Sequence, residues 1–242
     1  MKSKIEKLEK FIVAEGLTYN DVIGYCMAKL DEEDLIQKRK AEEARRQKLA
    51  ETFPADDVRS KALLYDYAFE GGKFSSNKDA YPNCQGVVGW INPDPDAPEG
   101  DRVYVILLIP YLELELPYSD EKCFVGTTDK YDGKSNTLKL LEYGKKHGVR
   151  FPVAELAFNY CKNGVKKGEA FSPAQEQLKH FIGKAETFMQ LLYEVGGGIS
   201  AYVWSSTEVN EENACTVDIN SFCGVERMTK TNPDGVCCIL AY

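Results

Sequence analysis

The stretch Tyr202-Val203-Trp204-Ser205-Ser206-Thr207-Glu208 decides how this chain is read. Ile199, Tyr202, Val203 and Trp204 are β-branched or aromatic, which marks a strand. Ser205, Ser206 and Thr207 then offer hydroxyls to nearby backbone groups, and Glu208 closes the run. The expectation is a chain that turns out of its sheet at Ser205, in a motif that serves structure before function.

Residues on both sides supply the partners such a strand needs. Downstream, Cys215 to Ile219, Gly224 to Met228 and Val236 to Tyr242 read as strands. Upstream, Leu63 to Phe69 followed by Gly71-Gly72 and Lys73-Phe74 reads as a hairpin. Gly86 to Asn92 and Arg102 to Ile109 read as buried neighbours. Helical spacing lies between the two groups. Thr137 to His147 points Leu138, Leu140 and Leu141 inward, and Val153 to Asn163 presents Leu156, Phe158 and Cys161. A third helix opens at Ser172-Pro173, with Ser172 as N-cap, and runs to the stop at Gly196-Gly197-Gly198. Helices enclosed between early and late strands define an α+β domain over residues 54–242.

Residues 1–53 differ in texture. Ile5, Leu8, Phe11 and Ile12 share one helical face, and Val22, Ile23, Cys26, Met27 and Leu30 share another. Charged residues and alanine dominate from Asp31 to Thr52, so this segment cannot bury itself alone. It is expected to dock or to build a homo-oligomer, a trimer being one option. Lys38-Arg39-Lys40 and Arg45-Arg46 alternate with Glu42 and Glu43, which favours a solvated helix face over a nucleic-acid arm. Phe53-Pro54 ends the helix.

The chain has 242 residues and a formal net charge of −8, which argues against a nucleic-acid partner. No stretch is apolar and long enough to enter a membrane, and the lysine-rich start lacks the apolar core of an export signal. The 8 cysteines include no C-x-x-C pair and read as reduced thiols; with only His147 and His180 to join them, neither a metal site nor any other cofactor is expected. Pro93-Asp94-Pro95-Asp96-Ala97-Pro98 is rich in oxygen ligands but matches no calcium loop, so it reads as a solvated loop tip. His180, beside Phe181 and Ile182, reads as a hydrogen-bonded structural histidine.

Several motifs now combine. Tyr65-Asp66-Tyr67 with Gly71 to Ser75, Asn83-Cys84-Gln85-Gly86-Val87-Val88, Asp132-Gly133-Lys134-Ser135-Asn136-Thr137, Ser172-Pro173-Ala174, Trp204 to Glu208 and Ala214 to Ile219 resemble a lectin-like family of bacterial surface and phage proteins. That family is similar to the C-terminal domain of the Legionella collagen-like adhesin and has the C-type lectin fold. The resemblance spans residues 60–242 and implies a C-type-lectin-like domain used for binding, preceded by the helical segment. The chain departs from the family at Ala170-Phe171, at Cys215 and at Val236 to Tyr242, where an arginine-rich ending is replaced by apolar residues. The departure removes those arginines from any anion site that used them.

By analogy with the fold, the ligand is expected on the late loops, at Asn210, Glu212, Asn213, Asn220, Phe222, Arg227, Lys230, Asn232 and Asp234. The implied role is non-enzymatic. A phage virion decoration, fibre or receptor-binding protein leads, made in the host cytoplasm and contacting other virion proteins or a cell-surface glycan or protein. A bacterial cell-surface adhesin is the alternative. An oxidase of the formylglycine-generating type is a third, prompted by Cys237-Cys238; alternation along a strand sends these to opposite faces and predicts one buried and one exposed.

Overall fold

The computed structural model describes residue 37 and residues 40–110, 113–220 and 224–242. The first expected helix and most of the second fall outside these residues, as does the face proposed for oligomerisation. Residues 40–52 are helical and end at Phe53-Pro54. Arg46 pairs with Glu42 at 3.0 Å, the i,i+4 contact of a solvated helix. Met1–Lys48 and Leu49–Tyr242 form two compact units.

The second unit is α+β, with two five-stranded, mostly antiparallel sheets. The first contains β1 (Tyr67–Phe69), β2 (Lys73–Ser75), β3 (Cys84–Ile91), β4 (Val103–Leu107) and β10 (Ile239–Ala241), in the order β10-β4-β3-β1-β2. The second contains β5 (Glu115–Pro117), β6 (Tyr202–Glu208), β7 (Asn213–Asp218), β8 (Val225–Thr229) and β9 (Pro233–Gly235), in the order β5-β9-β6-β7-β8. Between them run α1 (Gly133–His147), α2 (Pro152–Asn159), α3 (Gln175–Lys179) and α4 (Ala185–Tyr193).

The first sheet is apolar on both faces, which is why its strands read as continuous apolar runs. Val88, Val105, Leu107, Cys238 and Leu240 join one core with Leu140, Val153 and Ala157 of α1 and α2. Their neighbours Val87, Tyr104, Ile106, Cys237 and Ile239 join a second core with Leu178, Phe181, Phe188 and Leu192 of α3 and α4. Gly86 is required where β3 crosses β4, because a Cβ there would lie 1.9 Å from the Ile106 carbonyl oxygen.

Several expectations are corrected by this packing. The first strand of the hairpin begins at Tyr67, not Leu63. The helix expected from Thr137 starts at Gly133, because the Asp132 carboxylate caps the Ser135 N–H; Leu138 is exposed, and Asn136, Thr137, Leu140 and Gly144 face inward. The helix after Val153 stops at Asn159, leaving Cys161 exposed. The long third helix is two short ones, broken at Gly183 with φ +74°, where its N–H bonds the Ile219 carbonyl. Ser172 is buried and its hydroxyl caps nothing; α3 begins after Ala174. Pro233 and Asp234 of the late loop expected after Met228 lie in strand β9.

Candidate functional site

The chain does not leave the sheet at Ser205. Strand β6 continues to Glu208 through a bulge between Trp204 and Glu208. Groups of the motif bond segment 114–131, which includes β5, at Leu116, Tyr118 and Asp129. Trp204 Nε1 donates to the Leu116 carbonyl at 2.9 Å, and Tyr118 donates its hydroxyl to the Ser206 carbonyl at 3.1 Å. Thr207 Oγ1 donates to the Asp129 carbonyl at 3.0 Å and accepts the Gln175 N–H at 3.1 Å.

Glu208 completes this set. One carboxylate oxygen accepts the N–H groups of Val125, Gly126 and Thr127 at 3.0, 2.8 and 3.0 Å. The other receives Lys230 Nζ at 2.6 Å, with both side chains fully buried. Lys230 also donates to the Cys123 carbonyl and lies 5.6 Å from the Tyr118 ring centre. An acid at this position is therefore a staple between two segments.

That geometry redistributes the residues expected to bind a ligand. Lys230 is committed to Glu208 and cannot reach the surface. Asn210, Glu212 and Asn213 form the β6–β7 hairpin tip, where Asn210 Oδ1 accepts the N–H groups of Glu212 and Asn213 at 2.9 and 2.8 Å. Glu212 pairs with Lys122 at 2.9 Å, an exposed contact. Asn232 is exposed after β8 at the same end of the sheet. Asn220 follows β7 at the opposite end, and Arg227 is exposed within edge strand β8. Phe222 lies outside the described residues. Asp234 is in β9; its Oδ1 accepts the Gly235 N–H, while its Oδ2 is buried without a protein partner. Burial first, then Glu115 and Glu226, pushes its carboxyl above the usual range. The structure thus brings Asn210, Glu212, Asn213 and Asn232 to one end and separates them from Asn220 and Asp234.

Two other expectations resolve in detail. The His180 ring stacks on Trp90 at 4.0 Å between centres, and no hydrogen bond is needed to place it. Burial first, then Lys184, lowers its pKa. Cys237 and Cys238 are both buried, since the sheet is covered on both faces, and burial pushes Cys238 up to about 12. The thiols sit in separate cores, so they do not share one dithiol site.

The Asp- and Pro-rich loop is organised from within. Arg59 is buried, bonds both carboxylate oxygens of Asp57 at 3.0 and 2.7 Å, and donates to the carbonyls of Asn92, Asp94 and Pro95. Phe53 covers the guanidinium at 4.2 Å. Among the described residues no three His, Cys, Asp or Glu side chains are grouped to hold a metal ion.

The sequence reading missed two clefts. One, of about 410 Å³, lies between Ile109-Pro110 and α2, above Leu156. The other, of about 610 Å³, lies beside the Gly71-Gly72 turn and has Tyr242 in its wall. Both assemble from residues distant in sequence, and no local pattern marks them.

No protein-family model matches the chain, and no curated protein does. A fimbrial protein from Bacteroides ovatus ATCC 8483, known from a crystal structure at 1.85 Å, has a similar fold, with a TM-score of 0.53 and 19% identity. The likeness covers 75% of this chain and 49% of that protein, so this chain spans about half its length. At this identity the likeness concerns fold alone.

Proposed function

We propose that the chain is a non-enzymatic recognition module carried on a surface appendage, with a lectin-like head that meets a glycan or protein. The observation that carries this reading is the shared fold with a fimbrial protein. The head's construction supports it. The motif side chains are spent on stapling β6 to segment 114–131, which leaves a rigid body with polar loops at its ends. The lectin-like assignment of the head rests on the sequence resemblance. Assembly through residues 1–53 is part of the same proposal, and light scattering of the full chain should report a multimer.

The fimbrial neighbour favours a cell-borne appendage over the virion expected from sequence. Both are display roles and share one test. Purified chain, fluorescently labelled, is applied to an array of immobilised glycans and to intact cells. Saturable binding that unlabelled chain competes away supports recognition. Absence of binding to any of these surfaces overturns it.

A further inference from the structure

The larger cleft is built around a fixed aromatic ring. Tyr242 is held by its backbone, whose N–H donates to the Val103 carbonyl at 3.0 Å and whose carbonyl accepts the N–H groups of Arg102 and Val103. Its hydroxyl donates to Gln85 Oε1 at 2.9 Å. Gln85 is buried within β3, and its Nε2 donates to the Asn163 carbonyl at 3.1 Å, so both ends of this amide are committed. Phe74 stands almost perpendicular to the Tyr242 ring, at 81° and 5.8 Å. The ring is therefore held in one orientation in the cleft wall before any ligand arrives.

The groups around the ring carry both signs of charge. Lys61, Lys134 and Lys166 line the cleft together with Asp56, Glu70 and Glu169. Two of the acids are positioned. Glu169 accepts the Lys166 N–H at 2.8 Å, and Glu70 accepts Asn83 Nδ2 at 3.1 Å. Glu70 also packs where a Cβ on Gly164 would lie 2.5 Å from its Cδ, and Gly164 has φ +83°. Only glycine leaves that carboxylate its place.

From this arrangement we propose that the Tyr242 cleft binds a neutral saccharide of two or three rings. This inference rests on the recognition reading and names its site. The carboxylates accept ring hydroxyls, the ammonium groups donate to them, and the apolar face of a pyranose lies on the tyrosine. With opposite charges balanced around the rim, an anionic ligand would gain from the lysines and lose to the acids. A volume of about 610 Å³ accommodates two to three sugar rings.

The test is saturation-transfer NMR and calorimetry on the full chain with maltotriose, cellotriose, lactose and diacetylchitobiose, and with heparin disaccharide as an anionic probe. Five variants are compared, with thermal unfolding as a check on folding: Tyr242→Leu, Glu70→Gln, Lys134→Ala/Lys166→Ala, the rival-site variant Asn210→Ala/Glu212→Ala at the hairpin tip, and the control Glu142→Ala/Lys146→Ala on the exposed side of α1. Tyr242→Phe serves as a second probe should Tyr242→Leu fail to fold, since it keeps the ring and loses its anchor. The expected result is binding of a neutral oligosaccharide, weakened about tenfold or more by each cleft variant that folds and unchanged by the rival-site variant and the control. Preference for the heparin disaccharide, with loss only in the lysine variant, overturns the ligand class. Saccharide binding lost at the hairpin tip and kept in the cleft variants overturns the site while leaving recognition standing. Binding of none of these probes, on a chain that still binds cells, also overturns this inference and leaves recognition intact.

Discussion

Glu208→Gln leaves the Lys230 ammonium buried against a neutral amide, with the Cys123 carbonyl as its remaining strong acceptor. An uncompensated buried charge of this kind costs about 3 to 5 kcal/mol. The three N–H groups of residues 125–127 still find the amide oxygen, so the loss comes chiefly from the lysine. Lys230→Met is milder, near the low end at about 3 kcal/mol, because the carboxylate keeps those three donors. In the double variant a neutral amide and an apolar chain replace the pair, and the two losses should fall short of additivity by about 1 to 3 kcal/mol. Urea unfolding reads this directly. With a slope of about 2 kcal/mol per molar, Glu208→Gln lowers the midpoint by about 1.5 to 2.5 M. Single variants that each cost under about 1 kcal/mol and simply add would show that the pair behaves as a surface contact, and the staple would be refuted.

Arg59→Lys should destabilise the head by about 2 to 4 kcal/mol, because an ammonium cannot reproduce a fork that engages one carboxylate and three carbonyls; limited proteolysis should then cut within 93–101, and an unchanged digest counts against the clamp. The depressed His180 contributes stability that is present above its ordinary value of 6.5 and lost as pH falls below it, so His180→Phe should flatten the pH dependence of unfolding below pH 6.5. Asp234 has the opposite sign: its raised carboxyl penalises the ionised folded state, so Asp234→Asn should stabilise at pH 7, with the gain fading as pH falls toward 3.8 and absent below it. Among the six described cysteines, iodoacetamide mapping by mass spectrometry should label Cys161 in the native chain and leave Cys215, Cys237 and Cys238 unmodified until it unfolds.

The sheet framework was legible in the sequence because its strands are apolar on both faces. Val87-Val88 and Val103 to Leu107 sit where their composition places them, and the Gly71-Gly72 turn joins β1 to β2. Errors cluster where a tertiary contact outweighs a local preference. Ser205, Ser206 and Thr207 have turn chemistry, but Tyr118 bonds the Ser206 carbonyl and the Asp129 carbonyl takes the Thr207 hydroxyl, and they remain in strand. Lys230 sits in a polar loop by sequence, and its partner Glu208 lies 22 residues earlier. One of Cys237 and Cys238 is expected at a surface because nothing in the sequence shows helices covering both faces of that segment. The Tyr242 cleft joins residues from 56 to 242, beyond the reach of any periodicity.

Display on a surface is the central claim, and protease shaving of intact source cells tests it most directly. Mass spectrometry of the released peptides should recover sequence from 54–242, and mechanical shearing should release the chain with appendages. Recovery only from the cytosol, or only with phage particles after gradient sedimentation, would contradict a cell-borne appendage.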